Sequence, residues 1–207
     1  MRNDLLAAIV IASGGTVTNK DDRNALLSDW LSAVESPQIE VARLDGATKS
    51  WQLTSPINLI TNDVVELNFI GGQVSNAFAM FFESDSRNFY VSTTSDSLNF
   101  RVKAAFGTPM LNSQLIENNV TQVPSTGVNT VSAATVGDEI LSYITSRMGT
   151  SLFLNLAVYN FRVIRNGVVI HEIPLTNKSQ GATQLATVGS VNATMINYTG
   201  DEWEPLP

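Results

Sequence analysis

Apolar and polar residues alternate with a period of two from Ile39 onward, the repeat of strands with one buried face. The clearest runs are Val65/Leu67/Phe69, Phe78/Met80/Phe82, Leu98/Phe100/Val102 and Tyr159/Phe161/Val163. Turn residues separate them at Asp45-Gly46, Gly71-Gly72, Ser84 to Asn88 and Ser95 to Ser97. Phe161 to Ile173 predicts a hairpin, because Asn166-Gly167 supplies the two positive φ angles of a type I′ turn. Gly107 to Val136 is rich in Asn, Thr, Ser and Val without a clean period and reads as irregular strands. Asp138 to Met148 is open between a strand and a short helix carrying Ile140, Leu141, Ile144 and Met148. Many short strands without βαβ alternation predict a mainly β, antiparallel β-sandwich of jelly-roll type.

The first thirty-six residues follow another period. Arg2-Asn3-Asp4-Leu5-Leu6 is echoed by Arg23-Asn24-Ala25-Leu26-Leu27. Leu5, Leu6, Ile9 and Ala12 fall on one helical stripe, and Leu26, Leu27, Trp30, Leu31 and Val34 on another. The glycines of Ser13 to Asn19 end the first helix, Thr18 or Asn19 caps the second, and Pro37 closes the unit. The expectation is therefore a short helical hairpin over 1–36 and a sandwich domain over 37–207. Two helices of this length cannot bury both stripes unaided. The stripes are matched either by the chain's own sandwich or copies of itself, or by another protein, with Leu5, Leu6, Ile9, Leu26, Leu27, Trp30 and Leu31 as the contact residues. Two such stripes and a weakly charged surface favour a homo-oligomer, expected as a trimer.

Composition narrows the function classes. With 43% hydrophobic and 15% charged residues among 207, the chain has the makeup of a globular protein with an uncharged surface. A net charge of −7 and scattered basic residues exclude a phosphate-tracking nucleic-acid surface. The close pairs Arg101/Lys103 and Arg162/Arg165 read as solvated strand faces. The absence of cysteine removes disulfides, thiolate metal sites and cysteine nucleophiles together. Leu5 to Ala12 is too short to span a bilayer, so no membrane insertion is expected, and Asp4 with a single Arg2 makes a poor secretory n-region.

The residues offer little catalytic chemistry. His171 is the only histidine, so no zinc site of ordinary spacing is available, and no Gly-x-Ser-x-Gly elbow is present. Glu83-Ser84-Asp85 resembles the start of the Glu-x-Asp-x-x-Glu motif of laminarinase-like glycosidases, but Asn88 stands where the third carboxylate belongs. The expectation is no catalytic residue, no cofactor and no metal. Asp138/Glu139 and Asp201/Glu202/Glu204 offer the oxygen ligands that calcium takes, but no EF-hand-like loop surrounds them and they read as solvated loop ends. Four sequons, at Asn119, Asn177, Asn192 and Asn197, arise by chance in so Ser/Thr/Asn-rich a chain. Trp51, Tyr90, Tyr198 and Trp203 are aromatic residues that exposure would let stack on sugars, and Trp51, Tyr198 and Trp203 are the candidates for glycan binding.

Leu154 to Leu175 resembles the closing strands of concanavalin A-like, laminin-G-like sandwiches. So do Leu44-Asp45-Gly46, Trp51-Gln52-Leu53 and the strand Asp63 to Ile70. Gly189 to Tyr198, leading to Trp203-Glu204, looks like the end of such domains in bacteriophage virion proteins. Ala12 to Asn19, followed by Asp22 to Leu27, is similar to the N-terminal segments of phage structural proteins. The resemblance implies a non-enzymatic virion protein, a head fibre, decoration or tail component, whose residues 1–36 attach to capsid or tail proteins. The alternative it implies is a host-adhesion module that binds surface glycans.

Overall fold

The computed structural model describes residues 39–74, 78–96, 98–103 and 107–206. The helical hairpin expected over 1–36, with Leu5, Leu6, Ile9, Leu26, Leu27, Trp30 and Leu31, lies outside the described residues.

From Ile39 onward the chain forms one compact, mainly β unit of two antiparallel sheets. One sheet has the order β15 (Trp203–Pro205), β1 (Glu40–Arg43), β11 (Ala157–Arg165), β3 (Val64–Ile70), β9 (Val128–Ala134), β7 (Met110–Leu111) and β8 (Gln114–Leu115), with β12 (Val168–Ile173) also paired to β11. The other runs β13 (Thr183–Gln184), β14 (Ala193–Met195), β2 (Trp51–Leu59), β10 (Glu139–Ile144), β4 (Met80–Glu83), β5 (Tyr90–Thr93) and β6 (Phe100–Val102).

The alternating apolar residues meet between the sheets. Val65, Leu67 and Phe69 of β3 and Phe161 and Val163 of β11 are fully buried. Phe69 of the first sheet meets Phe81 of the second edge-on at 5.0 Å between ring centroids, and Phe81 lies 5.3 Å from Phe100. Such aromatic contacts add to the area term that drives burial. The two layers are thus those of a β-sandwich.

The Asn-Gly hairpin is present as β11 and β12, with Asn166 at φ 52° and Gly167 at φ 78°. β11 is the hub of its sheet. On one edge β1 takes Ala157 and Val158 and β12 takes Phe161 to Arg165, while β3 occupies the other edge. Asn160, at φ 52°, interrupts the ladder between those stretches and donates its N–H to the Pro174 carbonyl. Asn tolerates that left-handed conformation better than most residues.

The open segment Asp138 to Met148 contains strand β10. Its pairing with β2 is irregular between Leu141 and Tyr143, where two positions of β10 face five of β2, from Ile57 to Gln52, so the extra residues lie on β2. The inward residues Leu141 and Ile144 stand three apart, a spacing that imitates a helix. Two of the alternating runs are less regular than expected. All four residues of β4 are buried, and Leu98 lies outside β6 and is 63% exposed. The expected irregular strands over Gly107 to Val136 are β7, β8 and β9, with loops between them.

Candidate functional site

The two sugar-stacking candidates nearest the C-terminus lie at the corner where β15 closes on β1. Both are half-buried, and the Trp203 indole N–H donates to the Tyr198 hydroxyl at 3.1 Å. Beside them a depression of about 300 Å³ is lined by Arg43, Asp45, Lys49, Glu202 and Glu204 among others.

The loop after β1 is built on Asp45. Its Oδ1 accepts the N–H groups of Ala47, Thr48 and Lys49, each at 2.9 Å, and its Oδ2 accepts the Thr48 hydroxyl at 2.8 Å. Burial opposes ionisation of this carboxyl, but the converging N–H donors outweigh it and hold its pKa well below the usual range. The loop so shaped delivers Lys49 to Glu202, whose side chain is only 1% exposed. Glu202 Oε1 accepts from Lys49 Nζ at 2.6 Å, the Thr199 N–H at 2.7 Å and the Thr199 hydroxyl at 2.9 Å, while Oε2 accepts the Gly200 N–H at 2.8 Å. Burial again raises the pKa, yet the Lys49 and Thr199 hydrogen bonds bring it from 4.5 down to about 2. The hydrogen bond to Glu202 in turn raises the pKa of Lys49. Next to this pair the Arg43 guanidinium grips Glu204 bidentately, at 2.8 and 2.7 Å.

This corner is an electrostatic clasp between β15 and the start of the sandwich. Glu202 and Glu204 turn to different cations, so the acidic triplet Asp201/Glu202/Glu204 does not converge. Among the described residues no group of three or more His, Asp or Glu is placed to hold a metal ion.

The other sequence candidates sit apart from it. Trp51 is fully buried in the core, so it offers no face to a sugar; the pleat at β2 turns it and Leu53 inward and Gln52 outward. Glu83, also 1% exposed at its side chain, takes the Arg147 Nε at 2.9 Å and Nη2 at 2.9 Å. Asp85 accepts the Ser142 hydroxyl at 2.6 Å, and Asn88 accepts Lys103 Nζ at 2.6 Å. The Glu83-Ser84-Asp85 carboxylates are therefore engaged by structural partners. His171 is half-buried, with Nδ1 lacking a partner; burial, then the Arg165 charge, lowers its pKa. Asp138 and Glu139 border a cleft of about 440 Å³ with Asp85, Ile60 and Ile140, where Glu139 is hydrogen-bonded to Ser86.

The close basic pairs are not simply solvated. Arg165 bonds Asp63 at 2.8 Å through Nε and 2.7 Å through Nη2, Arg162 pairs with Glu66, and Arg101 lies over the Phe78 ring at 5.0 Å from its centroid. Sequence reasoning passed over Glu66 as a partner of Arg162. The visible signal was the polar set Glu66 and Asn68 alternating with Val65, Leu67 and Phe69 on β3. No family model, no curated protein and no solved structure matches the chain.

Proposed function

We propose that the chain is a non-enzymatic structural protein of a bacteriophage virion, a head fibre, decoration or tail component. In this reading residues 1–36 form a helical attachment segment, and the sandwich, of concanavalin A-like jelly-roll type, is displayed outward.

The observation that carries the reading is a contrast within the chain. The unit from Ile39 onward places its largest apolar side chains, Trp51, Phe69, Phe81, Phe82, Phe89, Phe100 and Phe161, in a core of its own. The stripes of Leu5, Leu6 and Ile9 and of Leu26, Leu27, Trp30 and Leu31 belong to a segment too short to hide them, and they call for a partner. Capsid or tail proteins and further copies of this chain, as a trimer, are the partners proposed. Two features of the sandwich support the role. The buried carboxylates Glu83, Asp63 and Glu202 are each held by a cation, which suits a scaffold better than a catalyst. Strand β1, which leads in from the attachment segment, is hydrogen-bonded on both sides, to β11 and to β15, so a pull on it is resisted by two ladders.

The test is co-sedimentation of the tagged chain with phage particles assembled in its presence. Burial of a Trp or Leu side chain stabilises an interface by about 1.5 to 3 kcal/mol each. Trp30→Ala with Leu27→Ala should therefore weaken attachment by roughly two to four orders of magnitude without lowering the melting temperature of the sandwich. Deleting 1–36 should give a soluble, cooperatively folding sandwich that no longer sediments with particles. A truncated sandwich that aggregates or melts much earlier would show that the segment is a lid on its own core.

A further inference from the structure

A second depression, of about 440 Å³, opens on the outer face of the eight-stranded sheet, away from the clasp. Its floor is one rung of three strands. Ser132 of β9 is the register partner of Glu66 on β3, and Glu66 is the partner of Arg162 on β11. With strands ~4.8 Å apart this rung is about 10 Å long, the scale of a single sugar ring with its hydroxyls. Thr130 lies on the next rung, where its hydroxyl donates to Asn68 Oδ1 at 2.9 Å.

The rim is the turn of the β7–β8 hairpin. Asn112 and Ser113 both take positive φ, 49° and 65°, the signature of a type I′ turn. Asn112 fastens this turn over β9: its Nδ2 donates to Asn129 Oδ1 at 2.9 Å, and its Oδ1 accepts the Thr130 N–H at 2.8 Å. Glycine is the ordinary second residue of such a turn; Ser113 holds the strained conformation and brings a hydroxyl to the lining. Met110, half-buried on β7, supplies the one apolar surface of the lining.

The charge pattern selects the ligand. Glu66 and Arg162 neutralise each other, with side chains 16% and 30% exposed, so the floor carries no net charge. Their hydrogen bond joins Arg162 Nη2 to Glu66 Oε1. Glu66, Arg162 and the hydroxyl-bearing Ser132 and Ser113 line the depression, and Glu66 Oε2 is not the oxygen that Arg162 Nη2 engages; Arg162 Nε is itself buried and without a partner. A carboxylate acceptor beside a guanidinium donor suits neighbouring hydroxyls, each of which can donate to one and accept from the other. An anionic ligand meets Glu66, and a cationic one meets Arg162.

We propose that this depression binds a neutral hexopyranose unit, free or as part of a glycan, with Glu66, Arg162 and Ser132 as its hydrogen-bonding floor. The site stands whether or not residues 1–36 dock to a particle, and it is separate from Tyr198 and Trp203. The experiment is titration of the isotope-labelled full chain, followed by amide NMR, with lactose, maltose, methyl α-mannoside and their monosaccharides, and with galacturonate as the charged comparison. Saturable shifts at Glu66, Thr130 and Ser132 with at least one neutral sugar are expected. An oligosaccharide that binds more tightly than its monosaccharide marks a glycan site; equal affinities mark a site for one unit. Ser132→Phe, which fills the depression, should cost at least about tenfold in affinity, and Glu66→Gln should weaken binding while leaving the spectrum otherwise native. The proposal is overturned if no neutral sugar shifts these amides, if Glu66→Gln binds as well as the parent, or if galacturonate binds more tightly than galactose.

Discussion

Replacing Glu202 by Gln removes the negative charge from a carboxylate that takes four hydrogen bonds in a nearly inaccessible position. If Gln keeps its oxygen toward Lys49 and Thr199, its NH₂ group faces the Gly200 N–H, donor against donor. The size of the effect follows from the pKa. A carboxyl lowered from 4.5 to about 2 by folding contributes about 3 kcal/mol of stability when ionised, at ~1.36 kcal/mol per pH unit. The sign follows from the depression: this stability is fully present above the unfolded pKa and is lost as pH falls through the folded one. Urea denaturation of parent and Glu202→Gln, repeated from pH 7 down to pH ~2, should give a difference near 3 kcal/mol at neutral pH that shrinks steadily below pH ~4.5. Asp45 and Asp63 are also lowered and make the parent acid-labile, but they are common to both proteins and cancel in the difference. A parent-to-variant gap that stays constant across this range would show that Glu202 acts by shape alone, and the clasp would not be electrostatic.

Two further outcomes probe the scaffold. Gly167→Ala places a Cβ in open space but at φ 78°, so it should cost only the backbone strain, about 1 kcal/mol; equilibrium unfolding that shows no loss would contradict the type I′ assignment. Arg147→Met alone leaves Glu83 buried without its cation and should cost about 3 to 5 kcal/mol, whereas adding Glu83→Met should recover most of it. A double-mutant cycle in which the two losses simply add would mean that the pair is not coupled.

How far the sequence revealed the fold depended on whether the governing interaction was local. The β11–β12 hairpin was legible because Asn166-Gly167 sets its turn and the flanking alternation sets its faces, all within thirteen residues. β10 was not, since its irregular register is set by pairing with β2, some eighty residues earlier, and its inward residues Leu141 and Ile144 stand at helical spacing. Trp51 was read from residue type, as an aromatic able to stack on a sugar. Only its pairing with Ile144 and Met195 in the middle of a sheet buries it.

The same distinction explains why the candidate sites were hidden. Glu202 and Glu204 look like a solvated acidic tail, and their partners Lys49 and Arg43 lie more than 150 residues away in sequence. The sugar-sized depression is more remote still from local pattern, because it exists only in the register that sets Ser132, Glu66 and Arg162 side by side across three strands. A slip of one residue between β3 and β11 would turn Glu66 toward the core and Val65 toward solvent. The buried row Val65, Leu67 and Phe69 forbids that slip, at the cost of three large apolar side chains exposed to water. The hydrophobic alternation that announced the strand thus also fixes the polar rung on its other face. What the sequence could not supply is the identity of the strands on either side.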